Sequence, residues 1–210
     1  ICALGYVAAY ELFSKGEAWS ARLRGLALAA APAALYLGAH VTLGYGAKGS
    51  VVYIGPFDNP GHFAAEALLR IPAMIATEFV LEPGEEVYAM ILLRSPKIFV
   101  GLIPIVVLIA LVVDSWRRSD ADGRRLLGTA GLGMLLAMLP LVGTVPSVRL
   151  LLIASFGGSA LLGAIIWDSG LRLLAGRTVG AWLRALATIP LAIWHLGHAP
   201  RLTHDYTFFW

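Results

Sequence analysis

The apolar positions of this chain fall in long unbroken runs, not at the one-in-three or one-in-four spacing of a soluble helix. Residues 26–43 form one run, with Pro32 near its start and His40 near its end. It has about the roughly 18-residue length that crosses a hydrocarbon core. Residues 98–113 carry no charge and are bracketed by Lys97 and Asp114. Pro104 inside that run is tolerable in a membrane bundle, where neighbouring helices satisfy the freed backbone groups. Between residues 126 and 167 the only charge is Arg149, and the Gly-Thr-Val-Pro-Ser stretch at 143–147 breaks the run into a hairpin of two spans. A last run, 182–200, ends in the tail 201–210, whose Tyr206, Phe208, Phe209 and Trp210 suit an interfacial belt. Residues 1–13 read as the last part of a helix already under way, so an N-terminally truncated chain with a cut first span is expected. No basic segment and cleavage site mark them as a signal peptide.

Residues 62–81 differ. Glu66, Arg70 and Glu78 interrupt their apolar pattern, and the i, i+4 spacing of Glu66 and Arg70 suggests an ion pair on a helix surface. The segment reads as an amphipathic helix lying in the interface, or as one dipping into the membrane with residues 88–93 as a re-entrant pair. The fold expected is therefore all-α: a polytopic transmembrane helical bundle forming a single membrane domain over 1–210, with five to six spans plus that interfacial or re-entrant helix.

Composition agrees with this pattern. The chain is 59% hydrophobic and 14% charged, with mean hydropathy +0.78, against about 45–50% and about 25% in soluble domains. A lipid bilayer is the expected surrounding. The basic residues fall in three connections: Lys15, Arg22 and Arg24; Arg117, Arg118, Arg124 and Arg125; and Arg172, Arg177 and Arg184. Cytoplasmic loops carry such an excess, which places loops 14–25, 114–125 and 168–184 in the cytoplasm. The segment 44–97, the turn 143–147 and the C-terminal tail then share the opposite face. The net charge of +3 has this topological cause, and nucleic acid is not an expected partner. The single cysteine, Cys2, excludes an internal disulfide and a CxxC site. His195 and His198, with His204 and Asp205 beyond them, lack the further ligands that a metal centre requires, and no metal is expected. Ser155, Ser159 and Gly163 recur every four residues, a small-residue face expected to pack against another helix.

Candidate chemistry collects on the non-cytoplasmic face. Residues 44–50 hold Gly44, Gly46 and Gly49 around Lys48, and Tyr53, Asp58, Asn59, Pro60 and His62 follow. Glycines let a backbone approach a ligand, and exposed amides beside Lys48 suit a phosphate. No GxxxxGK[ST] pattern is present, so a nucleotide loop is not indicated, and an irregular connection is the plain alternative. Arg149 ends an apolar hairpin, where a guanidinium either snorkels to the interface or meets an anion. Its planar fork suits a bidentate oxyanion contact. Arg70 joins these as a candidate expected around the same cavity. The substrate-binding candidates are thus Lys48, Tyr53, Asp58, His62, Arg70 and Arg149. Glu82, Glu85 and Glu86 read as a solvated turn, and no catalytic residue is assigned.

The run from Arg149 to Gly157, Arg-Leu-Leu-Leu-Ile-Ala-Ser-Phe-Gly, follows Pro140 and Pro146. It resembles the R-Y-L-Y-L-P-S-x-G signature of multispan GT-C-type glycosyltransferases of the tetratricopeptide-coupled O-mannosyltransferase kind. Arg149, Leu151, Ser155 and Gly157 match; Leu150, Leu152 and Ala154 depart. The layout is also similar to bacterial multispan proteins bearing a GYG-x-x-GS-x-x-YI-x-P loop, here residues 44–56. The resemblance implies an enzyme of the bacterial inner (plasma) membrane that transfers sugar from a polyprenyl-phosphate-linked donor on the non-cytoplasmic face. It places Arg149 near the lipid phosphate and an acidic catalytic loop ahead of residue 1. Two other classes compete. A transporter subunit should line a pathway with polar residues inside spans, and these spans are nearly free of them. A non-enzymatic membrane scaffold should show no clustering of the candidate residues.

Overall fold

The computed structural model describes residues 1–14, 18–45, 53–80, 84–95, 97–147, 150–176 and 178–198, with the side chains of 80, 84–85, 97–102 and 198 left aside. The described helices are α1 (Leu4–Phe13), α2 (Trp19–Thr42), α3 (Pro60–Val80), α4 (Gly84–Leu92), α5 (Lys97–Arg118), α6 (Ala121–Met138), α7 (Leu152–Ala175) and α8 (Val179–Ile193). A 3-10 turn, Leu139–Gly143, prolongs α6, and a π turn, Trp194–His198, prolongs α8. No strand occurs among the described residues.

Four stretches are long and apolar enough to cross a bilayer: Trp19–Thr42, Ala121–Gly143, Leu152–Ala175 and Val179–Gly197. A helix of 24 residues, such as α2 or α7, is about 36 Å long and exceeds the roughly 30 Å hydrocarbon core. The chain is an integral membrane protein with an all-α fold. The five to six spans expected from sequence come to four among the described residues. α1 has 10 residues, about 15 Å, half of what a crossing requires. α5 has 22 residues, but its described side chains start only at Ile103.

Glycines set how closely α1 docks. The Phe13 ring lies where a Cβ on Gly128 would stand, the Tyr6 ring does the same at Gly133, and Gly5 faces Leu136 and Ala137. α1 thus runs antiparallel to α6, its low-numbered end against the end of α6. The Tyr6 hydroxyl then reaches α7: it lies 3.0 Å from Ile153 O and 2.9 Å from Ala154 O, and accepts from Gly157 N–H at 2.8 Å. The core gathers where α3, α5, α6 and α7 meet, around Met74, Leu108, Met138, Val142 and Ile165. α2 buries no residue and turns leucines such as Leu28 and Leu35 outward.

Ser155, Ser159 and Gly163 do not form a packing face within the chain. Ser159 and Gly163 are exposed, and open space surrounds Gly163. In the first turns of α7 the buried small residues are Ala154, Gly157 and Gly158, because the approaching groups are Tyr6 and Glu78, which lie on that side.

The three basic connections are shorter than read from sequence, because the helices run into them. Only residues 119–120 separate α5 from α6, and α8 starts at Val179. Asp120 caps α6 by accepting from Gly123 N–H at 2.8 Å, and Thr178 caps α8 by accepting from Ala181 N–H at 3.2 Å. Arg184 therefore lies inside α8, not in a loop, and is 8% exposed. Its Nη1 donates to Asp114 Oδ2 at 2.5 Å, its Nη2 to Ser115 Oγ at 2.6 Å and its Nε to Ser169 Oγ at 3.0 Å. Asp168 Oδ2 is ion-paired with the same Nη2 at 2.9 Å. One guanidinium so ties α5, α7 and α8 together, its charge answered by two carboxylates, as a buried ion requires. This is the arginine end of the bundle. The other, where α6 turns into α7, is the turn end.

Candidate functional site

Local rules build the turn end. Asn59 Oδ1 accepts from His62 N–H at 3.0 Å, and Pro60 follows in the first helical position, so an N-cap and a proline start α3. Just upstream, Ile54 N–H donates to Gly143 O at 2.9 Å. A Cβ on Gly143 would stand 2.9 Å from Ile54 O, so the two backbones approach this closely only because residue 143 is glycine. The segment leading into α3 is thereby pinned to the turn leading into α7.

Arg70 makes the second connection. Its Nε is 2.8 Å from Glu66 Oε2, and its Nη1 donates to Val142 O at 2.9 Å and Thr144 O at 2.8 Å. Tyr88 of α4 donates to the same Glu66 oxygen at 2.6 Å, and its ring lies 5.3 Å from the guanidinium carbon. The i, i+4 pair expected on a helix surface is therefore buried, with the Arg70 side chain 5% exposed and that of Glu66 14%. The physical reason is the carbonyl pair at the end of the 3-10 turn, which lacks helical partners and takes a cation. Burial pushes the Glu66 carboxyl up, but bonds from Tyr88 and Arg70 and the nearby charges of Arg70 and His62 hold it below the ordinary range. Burial, with the Glu66 carboxylate as acceptor, raises the Tyr88 phenol.

The described candidates divide between the exposed segment that enters α3 and a buried position on α3 itself. Tyr53, Asp58 and His62 are exposed on the segment entering α3. Arg70 lies two turns further along, turned inward and committed to Glu66 and the turn carbonyls. Lys48 and Arg149 lie outside the described residues; Ser147 and Leu150, on either side of residues 148–149, belong to the turn that Ile54 and Arg70 hold. Tyr53, Asp58 and His62 thus stand on the surface, whereas Arg70 is spent on closing the turn.

Tyr88 escaped the sequence reading, and Glu78 was read only as an interruption of the apolar pattern of residues 62–81. Tyr88 sat in a segment judged only by its hydropathy, and nothing local points to its bond with Glu66. Glu78, on α3, lies against Gly158. Burial raises its carboxyl to about 7. The signal for it was present, as a carboxylate in an apolar stretch. His195 Nε2 lies 3.1 Å from Phe79 O, so this histidine joins α8 to the end of α3. No group of three metal-ligating side chains occurs among the described residues.

Compared with family models, with curated proteins and with solved structures, the chain finds no match in any of the three.

Proposed function

We propose that this chain is the lipid-facing part of a GT-C-like membrane glycosyltransferase, using a polyprenyl-phosphate-linked sugar at the turn end. The observation that carries this reading is the bond from Ile54 N–H to Gly143 O, 2.9 Å. Ile54 belongs to the glycine-rich loop motif and Gly143 opens the turn before the Arg149 signature. The end of the first motif and the turn that precedes the second are far apart in sequence, yet these two segments are bonded to each other. A shared substrate gives them a reason to meet. Arg149 takes the lipid phosphate, with Lys48 as a second cation, and Tyr53, Asp58 and His62 face the sugar.

In this reading α5 is a fifth span and α1 the remainder of a sixth. α3 lies in the interface at the turn end, on the non-cytoplasmic side, and the arginine end is cytoplasmic by the excess of basic residues there. The enzyme sits in a bacterial inner membrane.

The test is retention of a labelled polyprenyl phosphate by the purified chain in lipid nanodiscs. Loss of one charge-assisted contact costs about 1.5–3 kcal/mol, so Arg149→Ala should lower retention roughly 10- to 100-fold. Arg149→Lys should fall between, since an ammonium cannot reproduce the fork. Unchanged retention in Arg149→Ala contradicts the proposal.

A further inference from the structure

The arginine end holds a cleft of about 670 Å³ between α5, α7 and α8, within the size range of small-molecule sites. It is polar at one end and apolar at the other. Asp114, Arg118, Arg172 and Thr178 line it near the helix ends, and Val107, Leu111, Leu183 and Ala187 line the rest. Val107 stands two turns along α5 from Asp114, so this apolar wall leads from the charged rim toward the middle of the bundle.

The cations of this cleft are not equivalent. Arg184 is saturated by Asp114, Ser115, Asp168 and Ser169. Arg172 is held by Asp168 through Nε and Nη2, both at 2.9 Å, while its Nη1 is a looser 3.5 Å from Asp114. Arg118 reaches Asp114 through Nε at 2.7 Å, its side chain is 63% exposed, and its two Nη groups have no partner among the described residues. Three guanidinium groups face two carboxylates, which leaves one positive charge over. Donors are thus free at the rim, on Arg118 and in part on Arg172, next to an apolar wall. A soluble anion would satisfy the donors and leave the wall bare. A zwitterionic lipid would cover the wall and bring no net charge.

We infer that this cleft binds an anionic phospholipid from the leaflet at the arginine end, with its phosphate on Arg118 and Arg172 and one acyl chain along Val107 and Leu183. The phosphate oxygens accept from the free Nη groups and neutralise the excess charge, while the chain fills the space between α5 and α8. The Asp114–Arg184–Asp168 network is the rigid floor that holds the rim arginines apart. The site is separate from the turn end and does not depend on the glycosyl-transfer reading.

The experiment uses the purified chain in nanodiscs of phosphatidylcholine doped with labelled phosphatidylglycerol or labelled phosphatidylcholine, and measures the label that stays bound after extraction into detergent. Phosphatidylglycerol should be retained about tenfold better than phosphatidylcholine, the scale of one partly exposed charge-assisted contact. Arg118→Gln should remove most of that preference, and Arg118→Lys should keep part of it. Leu183→Glu, at an exposed position on the wall, should lower phosphatidylglycerol retention without involving the rim arginines. Millimolar inorganic phosphate should not displace the lipid. Equal retention of the two lipids, an Arg118→Gln variant that melts and binds like the parent, or displacement by free phosphate would each overturn the inference.

Discussion

Arg70 Nη1 lies 2.9 Å from the carbonyl oxygen of Val142, a buried contact between residues 72 positions apart. The same nitrogen reaches Thr144 O at 2.8 Å. One side chain of α3 thus closes the end of α6 and fixes the turn into α7, with Glu66 and Tyr88 completing the cage. Removing the guanidinium leaves a buried carboxylate without its counter-ion and two carbonyls without their donor. Arg70→Met should therefore destabilise the fold by about 3–5 kcal/mol. Tyr88→Phe, which removes one bond to a charged group, should cost about 1.5 kcal/mol. Thermal melting in detergent would rank the two, and an Arg70→Met variant that melts like the parent would exclude the clamp.

Glu78 gives the fold a pH dependence of a particular sign. Its carboxyl titrates near 4.5 when solvated and at about 7 in the fold, because burial favours the neutral form. The folded state holds this proton more tightly than the unfolded chain does. Its contribution is complete below about pH 4.5 and is lost progressively as the pH rises to about 7. The loss is about 3 kcal/mol at most. Melting across that range should show the decline, and Glu78→Gln should flatten it. A decline that persists in the Gln variant would assign it to another group.

Glycine substitutions separate the inner and outer faces of the α6–α7 hairpin. Gly133 and Gly157 have the Tyr6 side chain where a Cβ would go. Gly133→Ala and Gly157→Ala should each cost about 1–3 kcal/mol by overpacking. Gly163 has open space around it, so Gly163→Ala should be neutral or stabilise α7 by up to about 1 kcal/mol. Equal effects at all three sites would contradict the docking of α1 described above.

The hairpin was legible in the sequence because unbroken apolar runs and a Gly-Thr-Val-Pro-Ser break are local features. So was α3, read over 62–81 from its amphipathic pattern, although its start at Pro60 was taken for loop. What stayed hidden depends on partners far along the chain. The pairing of Glu66 with Arg70 was readable from spacing, but its burial was not, because that follows from carbonyls at residues 142 and 144. Ser155, Ser159 and Gly163 have the right period for a packing face, yet period says nothing about which face the neighbour takes. Arg184 was counted as a loop residue because charge in a basic connection resembles charge in the first turns of the next helix. Only the partners Asp114 and Asp168, on two other helices, distinguish the cases. Of the candidate site, the exposed trio Tyr53, Asp58 and His62 was named from residue type, and the bond that holds its segment to the α6–α7 turn appears only in three dimensions.

The account depends on a bundle that crosses the bilayer with its arginine end and its turn end on opposite sides. Both ends offer an exposed position, Arg118 and Asp58. In a Cys2→Ser background, Arg118→Cys and Asp58→Cys can be labelled in sealed vesicles of one orientation with a membrane-impermeant maleimide. Reaction of only one of them before the vesicles are opened, and of both afterwards, is the expected result. Equal labelling of both in sealed vesicles would put the two ends in one compartment and contradict the arrangement.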